Sequence, residues 1–250
     1  MLPLQPLDAG RARIIGPGRA GLSLAGALES IGWTVAPLLD RRDDPAGAAQ
    51  DVDLLVVATP DDAVARVAAQ VDPVPSTVVA HLSGALGTGA LATHPRRGCL
   101  HPLVGLPDAR TGSERLRSGV TFVVAGDPVV GGLVAALGGR AVEVPDTARG
   151  RYHAAASVAA NHVVATLAQV SRLAEGSGLA LADFLPLVRA AVEDVARVGP
   201  RAALTGAVAR GDWATVTRHL ESMPPEERAG YLGGVALVLG LLDEPPPPPG

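Results

Sequence analysis

The sequence predicts an α/β fold: a Rossmann-like, doubly wound, mostly parallel sheet followed by an all-helical C-terminal domain. Three observations predict it. The apolar run Arg13-Ile14-Ile15 meets glycines at positions 16, 18 and 21, the G-x-G-x-x-G spacing, and a helical pattern with Leu24, Ala25 and Leu28 on one face follows at once. Strand-like and helical segments then alternate over about 145 residues, the signature of an open α/β domain. From Arg149 onward the pattern is helical and rich in alanine, with no plausible strand. The expected boundaries are an N-terminal extension over 1–12, a Rossmann-like domain over 13–146, a helical domain over 147–243 and a Pro-rich tail over 244–250. The polyproline run of that tail cannot pack and is expected to be disordered.

In the first element each glycine has a physical task. Gly16 permits the tight turn, Gly18 lets the backbone approach a pyrophosphate, and Gly21 allows close helix-strand packing. The amides that open the helix, at Gly18, Arg19, Ala20 and Gly21, then face the phosphates. The competing expectation is a tight turn that binds nothing. Trp33 to Leu39 reads as the second strand, ending at Asp40-Arg41-Arg42. An acidic residue about 20 positions past the fingerprint suits the ribose hydroxyls of NAD, whereas arginine there suits the 2′-phosphate of NADP. Two adjacent guanidiniums can form a fork around a phosphate, so Arg41 and Arg42 favour NADP(H) over NAD(H), with Asp40 dissenting. A solvated charge cluster is the bland alternative.

Asp53 to Ala58 is a nearly continuous apolar run, as in a parallel strand buried on both faces. Thr59-Pro60-Asp61-Asp62 opens a helix, with an Asp expected to cap it. Ligands of doubly wound sheets sit beyond the carboxyl ends of the strands, so Ala58, Thr59 and Pro60 should border the cofactor. Thr77 to Ala80 delivers His81-Leu82-Ser83-Gly84 to the same rim, and Gly98 to Leu100 delivers His101-Pro102-Leu103. Val120–Ala125 and Ala141–Val144 read as the last strands, with a helix over 129–137 between them. Further helices are predicted over 181–198, 213–223 and 225–242. Asp212 is placed to cap the second of these, the Trp213 helix, and Gly199-Pro200 to end the one before it.

Composition narrows the chemistry. The formal charge of −4 and 2% aromatic residues leave neither a basic footprint nor stacking platforms, which argues against nucleic acid. No span holds the ~18 apolar residues of a membrane helix, and no signal peptide is evident at the N-terminus, so a cytoplasmic protein is expected. Cys99 is the only cysteine, which suits a reducing compartment. The sequence has no lysine: all 21 basic residues are arginine. Schiff-base and ammonium chemistry are therefore excluded, and proton transfer falls to His, Asp, Glu, Tyr or a hydroxyl with water.

On the Arg149 helix His153, Ser157 and Asn161 recur every four residues and form a polar stripe. At 1.5 Å per residue His153 and Asn161 stand about 12 Å apart, so one would hold the reacting end of a substrate and the other its far end or the nicotinamide amide. A stripe satisfied across a helix-helix or dimer contact is the alternative. His162 points about 100° away and is read as structural. Neutral histidine can supply a proton near pH 7, which makes His101 or His153 the candidate donor, with His81 and Ser83 as substrate contacts on the rim. Thr205 and Arg210, in the loop over 204–212, could clamp a carboxylate. His94, Cys99 and His101 lie close in sequence, but no spacing resembles a zinc site, and no metal is predicted.

Gly16-Pro17-Gly18-Arg19-Ala20-Gly21, Val56-Val57-Ala58-Thr59-Pro60-Asp61, His81-Leu82-Ser83-Gly84, His101-Pro102-Leu103, Tyr152-His153-Ala154-Ala155 and Leu204-Thr205-Gly206 occur in that order. With these motifs, from Arg13 to Leu242, the chain resembles the bacterial family that pairs an N-terminal Rossmann-like domain with a C-terminal helical domain of unknown function. That family is a branch of the 6-phosphogluconate dehydrogenase-like reductases, related to ketopantoate reductase and pyrroline-5-carboxylate reductase. The resemblance implies NADP-dependent reduction of a small carbonyl or imine compound by a homodimer interlocked through the helical domain. Some members of the family are similar in role to alternative ketopantoate reductases. Ketopantoate reductase and the β-hydroxyacid dehydrogenases carry a lysine one turn before an asparagine on the first helix of the second domain. Here Ser157 stands one turn before Asn161, so the asparagine carries over and the lysine acid does not. The expectation is an NADPH-dependent oxidoreductase acting on a small 2-oxo acid such as ketopantoate, held in the cleft between the domains. An imine reductase of the pyrroline-5-carboxylate type and a non-catalytic NADP-binding or sensing protein are the alternatives.

Overall fold

A computed structural model of the chain describes residues 8–242. Most of the expected N-terminal extension and the whole Pro-rich tail lie outside the described residues. The chain divides into two compact units between Ser157 and Val158.

The first unit alternates β1 (Arg11–Ile15), α1 (Arg19–Ser30), β2 (Thr34–Val35), β3 (Leu54–Val57), α2 (Asp61–Ala68), β4 (Val78–His81), β5 (Arg97–Pro102), α3 (Ala109–Leu116), β6 (Thr121–Gly126), α4 (Pro128–Ala136), β7 (Arg140–Glu143) and α5 (Asp146–Ser157). Its seven strands form one sheet in the order β2-β1-β3-β4-β5-β6-β7. All neighbours pair in parallel except β5 and β6. The chain leaves β1 for β2 on one side and returns to β3 on the other, so the order reverses between β1 and β3. Strand alternation supplies a core on each face of the sheet. Ala12, Ile14, Leu54, Val56, Val78 and Ala80 face one cluster, which α1 and α4 complete through Leu24, Leu28, Leu133 and Val134. Ile15, Leu55, Val57 and Val79 face the other, which Val64 and Ala68 of α2 complete. β3 is therefore buried along its whole length, as its apolar run predicts.

Local expectations met different fates. β2 pairs over two residues instead of seven, because Pro37 lacks an amide hydrogen for the ladder; Leu39 rejoins β1 as an isolated bridge to Ile15. The predicted Asp cap of α2 is replaced by Pro60 as N-cap, with Asp61 and Asp62 inside the first turn, where carboxylates still favour the helix dipole. His81 and His101 lie within β4 and β5 and not just past them. Elsewhere carboxylates do cap: Asp108 Oδ1 accepts the Thr111 amide at 2.8 Å to open α3, a bond worth about 1 kcal/mol in such positions.

The second unit contains a π turn over Val158–His162, then α6 (Val163–Leu173), α7 (Leu181–Val198), α8 (Pro200–Ala203), α9 (Trp213–Ser222) and α10 (Pro225–Leu242). No strand occurs in it among the described residues. Asp212 caps α9 by accepting the Thr215 amide at 3.1 Å, and Gly199, at φ 82°, ends α7 ahead of Pro200. The π turn interrupts the uniform four-residue spacing on which the His153-Ser157-Asn161 stripe rests, since its bonds run i→i+5. A small core forms from Ala174, Val216, Met223, Val235 and Leu239. Around it, large apolar side chains stand in solvent, among them Val164, Leu187, Val192 and Leu237. No helix of the described residues is long and apolar enough to cross a membrane.

Candidate active site

The carboxyl ends of β1 and β3, at the reversal of strand order, open onto a cavity of about 840 Å³. Gly16, Pro17, Gly18, Arg41, Arg42, Ala58, Thr59 and Pro60 all line it, joined by Arg66 of α2 and Gln70 just beyond it. Gly16 holds φ 111°, and a Cβ there would lie 2.5 Å from the Ala58 carbonyl oxygen. A Cβ on Gly21 would lie 2.1 Å from the Gly16 oxygen. These two glycines exist for packing: they let α1 start directly behind β1. Gly18 differs, for a Cβ there would meet nothing within 4 Å. It is the N-cap of α1 and supplies no side-chain cap, so the first-turn amides of Arg19, Ala20 and Gly21 lack intrahelical partners and form a ready anion site. Thr59 lines the same cavity, and its Oγ1 is buried with no hydrogen-bond partner among the described residues.

Arg41 and Arg42 do not form the fork that their adjacency suggests. Arg42 turns back on Asp40, with Nη2 at 2.7 Å from Oδ2 and its own amide at 2.8 Å from Oδ1. The Arg42 hydrogen bonds hold the Asp40 carboxyl below the usual carboxylate range. Arg41 is exposed on the cavity wall.

A second cluster sits farther along the same edge, where β4 and β5 meet α5. His101, near the end of β5, binds the Tyr152 hydroxyl through Nδ1. The His153 ring packs edge-on against His101 at a centroid separation of 5.7 Å, and its Nδ1 is buried without a partner. Gly84 makes this possible: a Cβ there would stand 2.5 Å from His153 Nδ1 and 2.9 Å from His101 Nδ1. Burial, reinforced by the charge of His153, brings His101 down to about 4, and burial pushes Tyr152 up to about 12. Near neutral pH the pair is thus an uncharged imidazole bonded to an intact phenol. Tyr152 was not among the residues that sequence reasoning selected; its position three residues after Arg149 and next to His153 was the available signal.

The other predicted residues separate. His81 is fully buried, with Nε2 3.2 Å from the Gly87 oxygen and Nδ1 accepting the Ser83 amide at 3.2 Å, so both ring nitrogens are engaged in shaping the loop. Burial lowers it below the ordinary histidine range. Ser83 Oγ accepts the amides of Ala85 and Leu86 and does the same work. Both ring nitrogens of His81 are thus engaged, whereas Ser83 Oγ, among the described residues, uses only its acceptor side. Ser157 is half-buried at the end of α5. Asn161, Thr205 and Arg210 belong to the second unit and are exposed there. That unit has its own cavity of about 700 Å³ between α6 and α10, lined by His162, Gln169, Arg172 and Tyr231 among others. No cluster of His, Cys, Asp and Glu able to hold a metal occurs among the described residues.

Residues 37–107 match the family model described as a Rossmann-like domain, and residues 120–233 match the one described as a domain of unknown function (DUF2520). The chain joins a Rossmann-like domain to a DUF2520 domain. Solved structures share its fold over nearly the whole length. The Bacteroides fragilis protein BF3122 superposes with a TM-score of 0.76 at 18% identity, covering 92% of this chain and 98% of that one. An imine reductase from Pseudomonas sp. gives 0.68 at 15% identity, covering 93% and 94%. Pyrroline carboxylate reductase from Plasmodium falciparum, solved with NADP bound, gives 0.63 at 14% identity, covering 94% and 95%. At these identities the likeness is one of fold. No curated protein matches the sequence significantly.

Proposed function

We propose that the protein is an NADPH-dependent oxidoreductase that reduces a small carbonyl or imine compound, with a 2-oxo acid of the ketopantoate kind as its substrate. The observation that carries this reading is the cavity at the β1–β3 reversal, which is lined by Gly18 at the N-cap of α1, by Thr59 with its unpartnered hydroxyl and by Arg41. These residues fit a pyridine dinucleotide. The amides at Gly18, Arg19 and Ala20 suit its diphosphate, Thr59 suits a polar group beside it, and Arg41 suits a 2′-phosphate. Asp40 is already engaged on both oxygens by Arg42 and competes less for a ribose diol. The fold neighbours named as an imine reductase and a pyrroline carboxylate reductase support the same reading.

When bound, the reduced nicotinamide supplies a hydride. The chain itself must supply a proton and hold the reacting group. The His101–Tyr152 pair keeps a proton on the phenol and can replace it through the imidazole. Because His101 stays neutral, the pair presents no charge to repel or trap a polar substrate. An imine reductase is the second reading, and one observation favours it: with burial holding Tyr152 at about 12, the donor is a weak acid, and an imine that arrives protonated needs no stronger one. The apolar side chains exposed on α6, α7 and α10 fit the homodimer that the family resemblance implies.

Calorimetric titration with NADPH and NADH, followed by turnover assays, tests the proposal. Uptake of NADPH with oxidation in the presence of ketopantoate is the expected result. Turnover of pyrroline-5-carboxylate alone selects the second reading. Uptake without turnover across a panel of oxo acids and imines makes the protein a nucleotide-binding one that catalyses nothing. Failure to take up either nucleotide overturns the proposal.

A further inference from the structure

Two rungs join β5 to α5. Cys99 and His101 lie two residues apart on one strand and so face the same way, while Arg149, Tyr152 and His153 share a helical face at i, i+3 and i+4. The upper rung is His101 with Tyr152 and His153. The lower rung is Arg149, whose Nη2 donates to Cys99 Sγ at 2.9 Å and whose Nε donates to Asp146 Oδ1 at 2.9 Å. Arg149 is 2% exposed, the largest side chain buried to that degree, and its Nη1 is buried with no partner. Among the described residues the only carboxylate paired with it, Asp146, keeps 70% of its side chain in solvent and neutralises the charge weakly.

A buried guanidinium with one unmet nitrogen is expensive, and an apolar residue of similar volume would hold the helix to the strand at less cost. The chain keeps the cation one turn below the proposed proton donor. We infer that Arg149 is a positioning residue of the active site: clamped by Cys99 and Asp146, it sets the register of α5 against β5 and places a fixed positive charge beneath the His101–Tyr152 pair.

A fixed cation disfavours a charged imidazolium and favours loss of the phenol proton, so it makes both members of the pair readier to give a proton up. Arg149 acts in that sense on His81, His101, Tyr152 and Cys99 alike, and for Tyr152 and Cys99 it is the first influence set against burial. The other charged or titratable groups acting on the pair are His153 of α5, Asp61 at the start of α2 and Cys99 of β5. The catalytic meaning of this arrangement rests on the proposed function. The electrostatic arrangement itself does not, and it can be read without cofactor or substrate.

The test is a histidine-ring NMR titration of the full-length protein without nucleotide, comparing wild type, Arg149→Met and Arg149→Lys. The His101 midpoint is expected to rise in Arg149→Met and to move back toward wild type in Arg149→Lys. A purely structural Arg149 would leave the midpoint of a folded Arg149→Met unchanged, and that result overturns the inference. So does a rise that is equally large in Arg149→Lys, since it would show that charge is not what matters. If Arg149→Met fails to fold, Arg149→Gln keeps a hydrogen-bonding head without charge and serves for the same comparison. A shifted midpoint in a protein that turns over nothing would refute the proposed activity and leave the assignment of Arg149 standing.

Discussion

Arg42 turns its guanidinium onto Asp40, 2.7 Å between Nη2 and Oδ2, and thereby decides what Arg41 beside it is free to do. The pair engages Asp40, one of three carboxylates on the cavity wall with Asp43 and Asp62, and leaves Arg41 on the same wall. Arg41→Ala is therefore expected to weaken NADPH binding about tenfold, or 1.4 kcal/mol, with little change for NADH. Arg42→Ala is expected to release Asp40 and improve NADH binding. Fluorescence titration with both nucleotides checks this, and equal losses for NADPH and NADH in Arg41→Ala would remove Arg41 from the phosphate site.

The approach of His153 to His101 over Gly84 depends on a missing side chain. An alanine Cβ at this position would lie 2.5 Å from His153 Nδ1 and 2.8 Å from His101 Cε1, so both rings must move. Displacements of this order around a reacting group lower rates by about a hundredfold. Gly84→Ala should lower kcat steeply and leave NADPH affinity unchanged, because Gly84 is not among the residues lining the nucleotide cavity. Parallel loss of affinity and turnover would mean that the two sites are not separable.

The buried histidines set a pH window for stability. His81 and His101 both sit below the ordinary histidine value of 6.5, chiefly through burial, with His101 at about 4. Below pH 6.5 the unfolded chain takes up protons that the folded one refuses, so stability is lost as pH falls from 6.5 toward 4 and does not recover at lower pH. Carboxylates held low by hydrogen bonds, such as Asp40 and Asp108, contribute losses only below about pH 4. Calorimetry should show Tm falling already between pH 6.5 and 5, and His101→Gln should flatten that limb. A wild-type Tm constant across this range contradicts the assignment.

Leu187 and Val192 on α7 are 70% and 65% exposed, and Leu237 on α10 is 78% exposed. Water-facing aliphatic surface of this extent is expected to be covered by a second copy of the chain. Sedimentation equilibrium should give twice the 25.2 kDa of one chain. The double substitution Leu187→Glu, Val192→Glu should return the monomer mass with helix content retained. A monomeric wild type refutes the homodimer.

Local sequence settled much of this protein. The glycine turn, the buried run of β3, the span of α7 from Leu181 to Val198 and the Asp212 cap all follow from periodicity and short-range hydrogen bonding, which are written in adjacent residues. Seven of the ten residues expected around a cofactor, Gly16, Gly18, Arg41, Arg42, Ala58, Thr59 and Pro60, line one cavity. What it could not settle depends on partners brought together by the sheet. The bond between His101 and Tyr152, fifty-one positions apart, and the burial of Arg149 against Cys99 arise only when β5 and α5 are laid side by side, and the burial of the unpaired Thr59 hydroxyl only once β1 and β3 are paired. The clearest contrast is at the two arginines: as neighbours in sequence they read as a fork, yet in space one is spent on Asp40, because a carboxylate two residues away competes for it before any ligand arrives.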